Sequence, residues 1–296
     1  MKYRVRHSTT YVYSEMVLLC HNEIHLAPRN AAHQSRGSMR IEIVPEPAVR
    51  ADHVDYFGNN VTYFTVQERH QKLSVTASSE VDVASSSPAF PGLTPPWEDV
   101  RESLTGENIH KHFDAIQFLN ESKYVKRRHE LGEYALKSFT PGRPVFEAAM
   151  GLTGRIHADF KYDATATDIH TSVSEVFDMK RGVCQDFAHL ELSCLRSLGL
   201  AARYVSGYLM TTPPPGEKKL AGADSSHAWV SFYCPGFGWI DMDPTNNIVP
   251  GDKHVLLAWG RDFADVSPIK GIILGGREHS IQVSVDVAPI NVAPIN

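Results

Sequence analysis

Nowhere does this 296-residue chain carry the unbroken apolar stretch that a secretion signal or a membrane span requires. Its first residues, "MKYRVRHSTTYVYSEMV", alternate charged and apolar side chains instead. No run of five or six like charges occurs, and a formal charge of −5 with a pI near 6.3 leaves no basic footprint for nucleic acid. CxxC pairs are missing, so Cys20, Cys184, Cys194 and Cys234 suit neither a zinc ribbon nor a disulfide framework, and free thiols are expected. HExxH is missing too. "IHKHF" holds His110 and His112 two positions apart, which on a helix sets them about 200° apart around the axis, so no metal is expected. These absences point to a soluble cytoplasmic protein with no nucleic-acid or membrane partner and no cofactor. Oligomeric state has no signature in the sequence.

What is present is an ordinary globular composition, 42% hydrophobic and 21% charged, with ample length for a core. Residues 1–83 read as β. "YRVRH", "TYVYS", "MRIEIV", "VTYFTV" and "KLSVTASSEVDV" are short runs rich in β-branched and aromatic residues, several alternating with period two. "DYFGNN" at Asp55–Asn60 supplies turn chemistry, and Val61 and Thr62 beyond it read as plain strand residues. An antiparallel β-sandwich-like domain is expected. "ASSSPAFPGLTPPW" makes residues 84–97 a linker, and residues 98–140 read as a helical connector.

Residues 141–286 mix element types. "PVFEAAMGLTGRIHADF" starts a helix after Pro144, and "CQDFAHLELSCLRSLG" puts Phe187, Leu190, Cys194, Leu195 and Leu198 on one stripe that ends at Gly199. Strands follow in "ARYVSGYLM", "HAWVSFYC" and "GWIDMD", and "HSIQVSVDV" alternates as a late strand. This is the α+β pattern. Residues 287–296, a tandem "VAPIN", are expected to be a tail.

Two cysteines stand ten positions apart in the helical stretch. Cys194 lies on the apolar stripe and reads as core. Cys184 begins the helix, just after Gly182, which lets the backbone turn. Unpaired N–H groups at a helix start favour a thiolate and can also receive an oxyanion. A cysteine nucleophile further needs an imidazole to take its proton and a group to orient that imidazole. His189 is about 140° around the helix from Cys184 and reads as packing or as a backbone partner. His227 in "SSHAWVSFY" starts a strand, and "GWIDMDPTNN" returns antiparallel with Asp241 and Asp243. The two carboxylates share a face by parity, so either could orient His227.

With Cys184, "HAW" at His227 and "DPT" at Asp243 in that order, the chain resembles the transglutaminase-like superfamily, in the bacterial branch with a β-rich N-terminal region. "RGVCQDFAHL", "ARYVSGYL", "HAWVSFYCPGFGWIDMDPTNN" and "RDFADVSPIKGIILGG" carry the likeness. The resemblance implies a papain-like α+β core behind the N-terminal domain, with Cys184 as nucleophile, His227 as base and Asp243, rather than Asp241, as orienting carboxylate. It implies a cysteine protease or amidase, that is, an amide hydrolase or acyl transferase acting on peptide or protein amides through a thioester. Hydrolysis is favoured, since transfer needs a pocket that excludes water. Amine transfer to protein glutamine, or a non-catalytic binding module that keeps the fold, are the other readings. Animal transglutaminases place a tryptophan upstream of the nucleophile near the oxyanion. No Trp lies between Trp97 and Cys184 here, and Tyr162 in "DFKYD" is the upstream donor that could replace it.

Overall fold

The structure is a computed structural model that describes residues 1–85, 91–105, 109–211 and 224–290. Five strands open the chain: β1 (Lys2–Ile24), β2 (Gln34–Val44), β3 (Val49–Val54), β4 (Asn60–Val66) and β5 (His70–Val83). The two runs at the start fuse into one long β1, in which Tyr3, Val5, His7 and Thr9 turn inward while Lys2, Arg4 and Arg6 turn out. Its pairing with β5 is interrupted between Val12 and Val17. That irregularity divides β1 into two halves, each with its own neighbours.

Helices α1 (Trp97–Ser103), α2 (Phe113–Ile116) and α3 (His129–Leu136) lead to α4 (Val145–Asp159). Then come β6 (Lys161–Tyr162), α5 (Val173–Met179), β7 (Arg181–Gly182) and the central helix α6 (Cys184–Ser197). A four-stranded antiparallel sheet follows, built from β8 (Ala202–Leu209), β9 (Ser225–Cys234), β10 (Gly238–Met242) and β11 (His254–Gly260) in the order β10-β9-β8-β11. Short α7 (Phe263–Val266) precedes β12 (Ile269–Gly275) and β13 (His279–Pro289). Phe187, Leu190, Cys194, Leu195 and Leu198 are all buried, so the predicted stripe of α6 is the face around which this core is built. Among the described residues, no helix is long and apolar enough to cross a membrane.

The late strand within residues 141–286 pairs outside the four-stranded sheet. From Tyr3↔Pro289 to Tyr13↔His279, β13 pairs antiparallel with the first half of β1, and β12 pairs with the second half. Strand alternation reveals a buried face but not the partner across the ladder, and here the partner lies at the other end of the chain. Val285 and Val287 are buried in the main cluster, so Val287–Pro289 are strand rather than tail. The second VAPIN copy lies outside the described residues. So do residues 86–90 of the expected linker, while Trp97, at its far end, is buried in α1 and donates from Nε1 to the Thr140 carbonyl.

The N-terminal β-rich region is thus one seven-stranded antiparallel sheet rather than two separate ones. One cluster takes Cys20 and Ile24 from β1, Ile43 from β2, Phe64 and Val66 from β4, and Leu73 and Val75 from β5. The interruption in β1 lets both halves of the sheet share that core.

Two side-chain amides join this region to the edge strand β11. Gln34 donates to the Leu256 carbonyl at 2.7 Å and accepts from the Leu256 N–H at 2.8 Å. Asn59 does the same at Trp259, donating at 2.8 Å and accepting at 3.0 Å. Asn59 is the end of the "DYFGNN" turn, where Asp55 Oδ1 accepts from the Phe57 and Asn59 N–H groups. Buried His7 adds a bond from Nδ1 to the Tyr208 hydroxyl of β8, and burial lowers its pKa to about 4, so it stays neutral. At Leu256 and Trp259 the open edge of the core sheet is thereby satisfied by side chains in place of a strand.

Because Val287 ties β13 to the main core, Val287→Ala is expected to cost roughly 2 kcal/mol. Urea denaturation should show this as one shared shift in probes of both regions. A loss confined to the N-terminal sheet would show that the regions unfold separately.

Candidate active site

Cys184 is partly buried at the first position of α6, after the extended residue Val183. The start of the helix is fixed by Asp186, whose Oδ2 accepts from the Val183 N–H at 2.8 Å and from Thr167 Oγ1 at 2.6 Å. The remaining first-turn N–H groups have no acceptor within the helix. Cys184 is the first residue of that turn. Gly182 is needed for space, since a Cβ there would stand 2.6 Å from Asp186 Oδ2 and 2.8 Å from Asp186 Cβ. Its backbone is not left-handed, so the expected sharp turn is not its role.

His227 sits near the start of β9, buried, and its Nε2 donates to Asp243 Oδ2 at 2.8 Å. Cys184 lies close enough to act on its ring as well. Burial opposes a charge on this imidazole, but the bond to Asp243 and the nearby Cys184 outweigh it and raise its pKa to about 10. Burial opposes the Asp243 charge as well. Hydrogen bonds from His227 and His254 overcome it and hold the carboxyl well below the usual range.

Asp243 lies past the end of the β10 ladder, whose last pair is Met242↔Val230. A turn places it instead: its N–H donates to the Ile248 carbonyl, and its Oδ1 accepts from the Thr245 and Asn246 N–H groups. Asp241 is directed elsewhere, accepting from Trp229 Nε1 at 3.2 Å. Parity left the two carboxylates equivalent, and the turn separates them.

His189 is buried, stacked on Tyr124, and accepts from the Phe263 N–H through Nε2. Burial lowers its pKa to about 4, so it packs as a neutral ring. Cys194 is buried as expected, and all four cysteines are free. His112 bonds through Nδ1 to the Tyr233 hydroxyl. Tyr162 is 55% exposed, and β6 pairs it directly with Gly182, two residues from Cys184. Partial burial and the nearby Cys184 raise its pKa, so its phenol keeps the proton it would donate.

Residues 134–244 match the family described as the transglutaminase-like superfamily, and residues 3–82 match the bacterial transglutaminase-like N-terminal region. An uncharacterized protein of Mycobacterium tuberculosis is 42% identical over 97% of this chain and 93% of its own. The chain belongs to the transglutaminase-like superfamily. A Cytophaga hutchinsonii protein, provisionally described as a cysteine protease, shares the fold at a TM-score of 0.75 and 22% identity, covering 99% of this chain and 93% of its own. A protein-glutamine gamma-glutamyltransferase of Pseudomonas aeruginosa is 36% identical over 25% of this chain and 11% of its own.

Three residues at or near this site carried no sequence signal. Asn246 Nδ2 donates to Asp243 Oδ2 at 2.7 Å, and His254 Nε2 donates to the same oxygen at 3.1 Å. Glu191, two turns along α6, is fully buried against Thr153. Burial, with Asp243 adding to it, raises its pKa to about 8, so it is neutral at pH 7. His227, Asp243 and His254 offer ligand atoms within 4.8 Å of one another, the one group among the described residues able to take a metal ion. Both imidazole Nε2–H groups are directed at Asp243 Oδ2, an arrangement of donors around an acceptor.

The linkage has a definite sign. A raised imidazole pKa stabilises the fold fully below the ordinary value near 6.5, and that stabilisation is lost as pH climbs through about 10. The depressed Asp243 contributes above the ordinary carboxylate range and loses its contribution as pH falls below it. In an NMR titration His227 should therefore hold its proton to about pH 10 and should titrate lower in Cys184→Ala. A wild-type midpoint near 6.5, or one that Cys184→Ala leaves in place, contradicts the paired geometry.

Proposed function

We propose that Cys184, His227 and Asp243 form a catalytic triad that cleaves amide bonds of peptide or protein substrates through a thioester, with water as the favoured acceptor. One observation carries this reading: the imidazole of His227 is bonded to the buried Asp243 and lies close enough to Cys184, at a helix start, for the two to interact. The Cys184 sulfur attacks the carbonyl carbon and the carbonyl electrons move onto oxygen, which the helix-start N–H groups and the Tyr162 hydroxyl receive. The C–N bond then breaks, His227 gives its proton to the departing amine, and the thioester remains. Water attacks next, His227 takes its proton, and the sulfur leaves the new carboxylic acid.

Hydrolysis is supported by the half-open setting, since Cys184 is only partly buried and Tyr162 beside it is exposed. Transfer to an amine is the second reading, and the local likeness to the Pseudomonas gamma-glutamyltransferase favours it. Incubation with a glutamine-containing peptide and a labelled primary amine separates the two. Cleavage or deamidation should exceed amine incorporation, and the reverse ratio would make the protein a transferase. Cys184→Ala is expected to abolish both products while the thermal transition stays in place, and Asp243→Asn to lower kcat by about 10²- to 10⁴-fold. Full turnover in Cys184→Ala removes the thioester route altogether.

A further inference from the structure

His254, the first residue of β11, is buried, and both its ring nitrogens are committed. Nδ1 accepts from the Gly251 N–H at 3.4 Å, so Nε2 bears the hydrogen that it donates to Asp243 Oδ2 at 3.1 Å. The ring meets Trp229 edge-on with centroids 5.3 Å apart, and Trp229 is in turn held by Asp241. A single carboxylate oxygen thus serves two imidazoles, of which His227 is the one that interacts with Cys184.

We propose that His254 is a positioning residue of the active site, fixing the Asp243 carboxylate and sharing its charge so that His227 is oriented without being held too basic. The proposal rests on the Cys184–His227–Asp243 reading. Three donors share that oxygen, Asn246 Nδ2 among them, and each receives less of its charge than it would alone. Removing the His254 donor therefore has two effects. Asp243 is less firmly aimed, which slows turnover, and its oxygen becomes a stronger acceptor for His227, which then keeps its proton to higher pH. A residue with only a packing role would act in the opposite sense, because a loosened site admits water and returns His227 toward its ordinary range. The titratable groups facing this cluster are Cys184 and Glu191 from α6, His227 from β9, and Asp243 itself.

The test compares His254→Phe, which keeps a ring against Trp229 but has no donor, with His254→Gln, whose amide can donate to Asp243. Cleavage of a fluorogenic peptide amide and the NMR titration of His227 are both followed against pH. His254→Phe is expected to lower kcat by about 10- to 100-fold. It should also move the alkaline limb and the His227 midpoint upward by at least about 0.5 pH unit, and His254→Gln should recover most of both. An unchanged or lowered His227 midpoint in His254→Phe overturns the proposal, as does a Gln variant no better than Phe. If the Phe variant does not fold, the ring ¹⁵N shifts of His254 in the wild-type protein decide, because an Nδ1–H tautomer is incompatible with donation to Asp243. Failure of the triad reading shows separately, as turnover retained in Cys184→Ala, while the His227 titration needs no turnover at all.

Discussion

The Asp243 carboxylate is the point on which this site closes. It is fully buried and accepts from His227, His254 and Asn246 on one oxygen and from the Thr245 and Asn246 N–H groups on the other. Burying an unpaired carboxylate costs several kcal/mol, whereas a hydrogen bond to a charged group contributes about 1.5–3 kcal/mol. Five such bonds therefore suffice to keep the charge inside. That charge sustains the raised basicity of His227, on which Cys184 also acts. If Asp243 is neutralised, the imidazole loses both its orientation and its main support for a proton.

Around this point the architecture supplies one component from each direction. α6 brings Cys184 with its helix-start N–H groups, β9 brings His227, the turn after β10 brings Asp243, and β11 brings His254. The N-terminal sheet reaches the same strand through Gln34 and Asn59, which occupy both hydrogen-bonding groups of Leu256 and of Trp259. The N-terminal region is therefore continuous with the frame of the site, and its β1 face shares the main core through Tyr3 and Val5.

Much of this was legible in the sequence because it is local. The stripe on α6, the position of Cys184 at a helix start, the HAW strand and the alternation of β5 and β13 all depend on residues within a few positions of one another. What depended on distant partners was not legible. Asp241 and Asp243 looked alike because strand parity continues past Met242 on paper, while in the molecule the ladder ends there and a turn takes over. His254 was one of fifteen histidines, eleven residues beyond its carboxylate, with no pattern to distinguish it. "DYFGNN" showed its turn but not the strand it grips, and "HSIQVSVDV" showed its strand but not its sheet.

The pairing of β1 with β12 and β13 sets an order on biosynthesis. Strand β1 ends at Ile24 and its partners begin at Ile269, so the nascent chain must extend by about 245 residues before that side of β1 is covered. At ~5–20 residues per second this takes roughly 10–50 s. For that time an amphipathic strand emerging from the ribosome has one ladder edge vacant, the condition under which neighbouring polypeptides join edge to edge. A chaperone that shields the first two dozen residues would be most useful in that interval, and the C-terminal strands displace the need for it once they arrive.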